Sequence, residues 1–154
     1  MKRLFLIICF LLFSQSAWAA WTIDAAKVSR YKNYLYWSAT LTSDGNALTA
    51  TNLLAESGLS GLLSSIRGSS LMVCYVLPGT GAVIPNTTIN ITITNEFDAE
   101  LWSDTGMSQN AGTWHKLYED LGPYPPIVSE LNIALNDIGD AGDQVTVYFL
   151  CWVE

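Results

Sequence analysis

Apolar and polar side chains take turns along this sequence, and that alternation restricts its folding more than any other feature. Ile89, Ile91 and Ile93 alternate with Asn90, Thr92 and Thr94. Leu35, Trp37, Ala39 and Leu41 alternate with Tyr36, Ser38, Thr40 and Thr42. Leu131, Ile133 and Leu135 alternate with Asn132, Ala134 and Asn136, and Val145, Val147, Phe149, Cys151 and Val153 with Thr146, Tyr148, Leu150 and Trp152. Trp21 and Ile23 begin a fifth run. Neighbouring side chains of a strand point to opposite faces, so each run offers one face to a shared interior.

Turn residues separate the runs: Ser43-Asp44-Gly45-Asn46, Pro78-Gly79-Thr80-Gly81, Pro85-Asn86, and Gly122-Pro123-Tyr124-Pro125-Pro126. The stretch Asn136 to Asp143 is expected to join the last two strands into a hairpin with a long loop. Many short strands with Gly/Pro turns predict an all-β fold, a single antiparallel β-sandwich of jelly-roll or Ig-like type. Residues 51–66 break the pattern. Leu53, Leu54, Leu59, Leu62, Leu63 and Ile66 are spaced more like a helix, but Gly58 and Gly61 oppose one at about 1 kcal/mol each. A short helix or irregular crossover is expected there.

The first nineteen residues read as a secretory signal peptide. Met1-Lys2-Arg3 is basic, Leu4 to Phe13 is apolar, and Ala17-Trp18-Ala19 is an A-x-A cleavage pattern. The ten apolar residues are half of the roughly twenty that a spanning helix needs. The sandwich domain is therefore expected over 20–154, exported to the periplasm or the medium, with no membrane attachment after cleavage. Cys74 and Cys151 remain in that domain, each in an apolar β-type run, and an oxidising compartment predicts a disulfide between them.

Charge narrows the partners. The chain holds 7 Lys+Arg and 14 Asp+Glu. Without Lys2 and Arg3 the balance is −9, the wrong sign for nucleic acid or an anionic membrane. Residues 95–154 hold Lys116 against eleven acids. His115 is the one histidine, so chemistry that needs two is excluded. Gly58-Leu59-Ser60-Gly61-Leu62 has leucine where a nucleophile elbow needs glycine. No phosphate loop is present and no cofactor is expected. Glu96, Asp98, Glu100 and Asp104 beside Phe97 and Trp102 supply the residue types of a glycosidase pair, but their spacing does not show that any two face each other. Asp137, Asp140 and Asp143 recur every third residue among glycines. Such oxygen ligands suit Ca²⁺, and a polar turn explains them equally well. The chain thus reads as non-enzymatic.

Aromatic residues are the better functional clue. Trp102, Trp114, Tyr118 and Tyr124 fall in a loop-rich segment together with Asp98 and Glu100. Such a set closes a core, forms a protein interface or stacks against a surface glycan. Residues 147–153 are apolar on both faces, so Tyr148, Leu150 and Trp152 need a cover besides the core. That cover is expected to be the 51–66 segment or another subunit. The second case makes the protein a homo-oligomer, for which a trimer is one form.

The order of features is similar to that of a known group. Ile66-Arg67-Gly68-Ser69-Ser70-Leu71 leads through Tyr75 to Leu77-Pro78-Gly79 and Pro85. The Ile89–Thr94 strand, an acidic loop at Asn95–Glu100, Tyr124–Val128, Leu131–Leu135, the Gly139/Gly142 loop and a terminal strand follow. Trp37 to Gly45 fits the opening strand and turn. The chain resembles small phage-encoded β proteins, hypothetical or virion structural proteins, over residues 34–153. The resemblance implies a particle-surface or tail-associated structural role without catalysis, and it supplies no site residue. Two features depart from that group: the leader, and Phe97 and Ala99 where the acidic loop usually has a central glycine. The leader is equally consistent with an exported relative encoded by a prophage or by the host.

Overall fold

The computed structural model describes residues 21–25, 29–55, 66, 68–116, 127, 130–136 and 138–153. The leader and the Gly122–Pro126 turn lie outside these residues. The strands are β1 (Thr22–Ala25), β2 (Ser29–Tyr31), β3 (Tyr34–Thr42), β4 (Leu48–Asn52), β5 (Ser70–Pro78), β6 (Ile89–Thr94), β7 (Glu100–Met107), β8 (Thr113–Lys116), β9 (Asn132–Leu135) and β10 (Gln144–Trp152). One sheet has six strands in the order β1-β3-β10-β5-β8, with β2 also paired to β3, and the other has four, β4-β9-β6-β7. All pairings are antiparallel. The two sheets form a β-sandwich, as the alternation predicts.

The core is the set of residues that the alternation assigns to one face. Leu35, Trp37, Ala39 and Leu41 of β3 and Val145, Val147, Phe149 and Cys151 of β10 are buried from one sheet; Ile89, Ile91, Ile93, Ile133 and Leu135 meet them from the other. Trp37 lies directly opposite Phe149 across the β3–β10 pair, and the two rings stack at 4.2 Å between centroids. Stacked aromatic pairs of this kind add to the burial of their area.

The last two alternating runs do not form a hairpin. β9 belongs to the four-stranded sheet and β10 to the six-stranded one, so the loop between them crosses from sheet to sheet. Alternation says which face of a strand is buried, and both strands satisfy it from opposite sides of the same core. The crossover is held by its own polar groups. The buried Asp143 carboxylate accepts the Asp140 N–H at 2.9 Å, and Asn86 N–H donates to Ile138 O at 3.0 Å. Gly139 sits at φ +128, and a Cβ there would collide with the Asn86 side chain.

The 51–66 segment begins as a short helical turn on the crossover between the two sheets, as expected, after two residues that still belong to β4. Thr51 and Asn52 end β4, and Leu53–Ala55 form a single 3₁₀ turn with Leu53 and Leu54 buried. Asn52 Oδ1 accepts the Leu54 N–H at 3.0 Å and begins that turn. Ile66 is fully buried, and residues 56–65 lie outside the described part.

Cys74 and Cys151 are both buried in strands, as expected, but they are free thiols and not a disulfide. The register gives the reason. Cys74 pairs with Phe149 and Cys151 with Leu71, across a bulge in β5. The two sulfurs are thus diagonal neighbours. Diagonal positions stand roughly 7 Å apart, whereas a bridge needs Cβ atoms about 3.5–4.5 Å apart. Burial pushes the Cys151 thiol up to about 11, and the Trp37 indole and Ser69 hydroxyl pull it partly back. Those two buried groups have no partner of ordinary hydrogen-bond geometry, so their contact with the sulfur is weak. Burial, and then the neighbouring Cys151, raise the Cys74 thiol as well.

Candidate functional site

The same period of two that fills the core leaves an aromatic layer on the outer face of the six-stranded sheet. Tyr34 and Tyr36 of β3, Tyr148 and Trp152 of β10 and Tyr75 of β5 occupy the positions between the buried ones. Tyr34 lies opposite Trp152, and Tyr148 opposite Tyr75. The rings touch in two groups, with Leu150 between them on the same face of β10. Tyr34 meets Trp152 edge-on at 5.0 Å, Tyr36 stacks with Tyr148 at 5.9 Å, and Tyr75 follows Tyr148 at 5.8 Å. Tyr31, opposite Tyr34 on β2, extends the layer to the sheet edge.

The layer is partly open to solvent. Tyr31 is 71% exposed, Tyr34 38% and Tyr36 39%, while Tyr148, Leu150 and Trp152 are half-buried. The second cover expected over Leu150 and its neighbours is therefore supplied in part by the rings themselves. Partial burial, and then the adjacent Tyr148 phenol, raise the Tyr36 hydroxyl above its ordinary range. At the β2 edge, Lys32 Nζ sits 5.6 Å from the Tyr31 ring centroid, and the Arg30 Nε–H donates to Lys32 O at 3.2 Å. Cations over aromatic faces are favourable, and Tyr, Trp and Arg are the residue types that anchor protein interfaces.

Among the described residues singled out from the sequence, Trp102 does not join the exposed Asp98 and Glu100 on one surface. Trp102 is on β7, buried to 5% exposure. Ile93 pairs with Trp102 and Thr94 with Glu100, so Leu101 is an extra residue and both Leu101 and Trp102 turn inward. Such a bulge breaks alternation, which is why the position reads as a loop. Trp114 is on β8, in register with Tyr75, and His115 is in register with Cys74. Tyr118 and Tyr124 lie outside the described residues. Asp98 and Glu100 are exposed at the β6–β7 loop.

That loop is well defined. Asn95 Oδ1 accepts the N–H groups of Phe97 and Ala99, each at 3.0 Å, and the Asp98 N–H donates to Asn95 O at 3.1 Å. Asp98 takes φ 56, where Asp is tolerated better than most residues. Phe97 projects from the loop at 79% exposure. Glu100 Oε1 accepts the Ser103 hydroxyl at 2.6 Å.

Two of the three aspartates of the calcium reading are hydrogen-bonded within the crossover. The Asp143 carboxylate is turned to the Asp140 backbone, and Asp140 Oδ2 accepts the Asn86 amide at 3.3 Å. Asp137 lies outside the described residues. Among the described residues no three His, Cys, Asp or Glu side chains gather where a metal could sit. An open groove of about 310 Å³ runs where β1 and β4 part, lined by Trp21, Ile23, Asp44, Ala47, Leu48, Thr49 and Thr51. It offers two hydroxyls and one carboxylate, whose Oδ1 accepts the Asn46 N–H at 2.9 Å.

The aromatic sheet face was present in the sequence as the second, non-core set of β3 and β10. Its signal is tyrosine at alternate positions of adjacent strands, and it becomes visible as a surface only when β2, β3, β10 and β5 are side by side. Comparison with protein-family models and with curated protein sequences finds no match to this chain.

Proposed function

We propose that this chain is an exported, non-enzymatic interaction protein that assembles into an oligomer through the outer face of its six-stranded sheet. The supporting observation is the Tyr/Trp layer on that face, with Tyr31, Tyr34 and Tyr36 left open beside Arg30 and Lys32. Aromatic side chains give a large contact area for little lost rotamer freedom, and interface cores are enriched in them. The leader pattern supports export. The resemblance to phage-encoded β proteins supports a particle- or surface-associated structural role.

Light scattering on the mature protein at micromolar concentration tests the reading. An oligomer that Tyr36→Glu converts to monomer is the expected result. A wild-type protein that stays monomeric overturns it. Glycan-array binding that disappears with the same substitution would instead assign the face to a carbohydrate.

A further inference from the structure

We propose that the occupant of the aromatic face is the Phe97 loop of a second copy, which makes the assembly head-to-tail. The inference rests on the reading that the chain assembles through this face, and it names the partner surface. Phe97 is an anchor without a pocket on its own molecule. It is 79% exposed at the tip of a turn that Asn95 holds through two backbone N–H groups. A large apolar side chain in water forgoes the gain of its burial, and a rigid turn lowers the ordering cost of docking it.

The charges of the two surfaces match. Asp98 and Glu100 follow Phe97 in the chain and are exposed. Among the described side chains, the cations are Arg30 and Lys32, both on the β2 edge: Lys32 Nζ lies 5.6 Å from the Tyr31 ring centroid, and the exposed Arg30, in register with the inward Leu35, leaves that edge on the side away from Tyr31. An acidic loop carrying an aromatic knob therefore meets an aromatic corner whose β2 edge carries two cations. Opposite potentials of this kind steer encounter and set the register of a contact.

The two surfaces cannot meet within one chain. β2 and β1 border one flank of the six-stranded sheet, and β1 lies across a groove from β4, lined by Ile23 on one side and Leu48, Thr49 and Thr51 on the other. β7 is the far edge of the β4-β9-β6-β7 sheet, three strand spacings or about 14 Å from β4. Knob and corner thus lie on opposite flanks. A contact between two different patches is heterologous, and it closes into a ring or continues as a filament.

Two variants separate the halves of the contact. Phe97→Ser removes the knob and keeps the corner; Arg30→Glu with Lys32→Glu disables the corner and keeps the knob. All three positions are exposed, and circular dichroism with a thermal melt verifies that each variant is folded. Each is expected to weaken self-association at least about 30-fold. Mixed together they are expected to form a 1:1 heterodimer that grows no further, because one sound knob meets one sound corner. Two monomeric variants that stay apart on mixing overturn the head-to-tail contact. If Phe97→Ser assembles like wild type while Tyr36→Glu does not, the occupant is wrong and the aromatic face stands. A monomeric wild type overturns both.

Discussion

The β3–β10 strand pair presents two aromatic pairs, one on each face. Inside, Trp37 and Phe149 stack at 4.2 Å and both are fully buried. Outside, Tyr36 and Tyr148 stack at 5.9 Å with Tyr36 39% exposed. Backbone, twist and ladder are shared, so the difference between the pairs is one of solvent and of polar tips. The inner rings exclude water and hold the two sheets together. The outer rings keep a hydroxyl for water and leave apolar area available to a partner. A core face and a binding face can thus be built from the same register, and the two should answer differently to mutation.

The largest contrast is expected from Phe149→Ala. Removing a buried ring that faces Trp37 should cost about 3–5 kcal/mol, a large part of the roughly 5–15 kcal/mol that holds a domain folded, read as a shifted denaturant midpoint. A loss below 1 kcal/mol would mean that the inner pair is not the centre of the core.

Alkaline pH gives an intermediate effect, largest on the inner face. The Cys151 thiol ionises in the folded chain near 11, against 9.0 when unperturbed, so the unfolded state releases its proton first as pH rises. Stability from this group is complete below about pH 9 and is lost as pH rises through the folded value. The loss is on the order of 2–3 kcal/mol. Cys74 acts in the same direction. Melts from pH 7 to 11 should show the fall, and Cys151→Ser should flatten it. A flat wild-type profile would contradict the burial of these thiols.

The smallest effect on stability is expected from the outer face. Tyr36→Ser should cost less than about 1 kcal/mol, the scale of a cross-strand aromatic pair, while lowering the oligomeric state. A cost comparable to that of Phe149→Ala would show that the outer rings serve the fold and not a partner.

Much of this was legible in the residues. The runs of β3, β6, β9 and β10 alternate cleanly, and their apolar members are the core. β2 and β4 carry no comparable alternation; β2 is exposed at all three positions and takes its strand form from pairing with β3. β7 was hidden by bulges at both ends of its pairing with β6. Its extra residues turn Trp102 inward and leave Gly106 at φ 72, with its N–H on Asn90 Oδ1 at 2.7 Å. The candidate site was half legible. The exposed Asp98 and Glu100 and the apolar outer set of β10 follow from the sequence, whereas the tyrosine layer needs strands far apart in the chain to be neighbours.

What the sequence determined by itself is local: which stretches extend, and which side chains of each share a face. These follow from a period of two and from turn residues, both readable within a few positions. The tertiary structure alone decided pairing and register. It sent β9 and β10 to different sheets, placed Cys74 and Cys151 diagonally and not opposite, and brought Tyr34, Tyr36, Tyr75 and Tyr148 into one layer. Pairing depends on long-range fit among all the strands around one core, and no single alternating run contains that information.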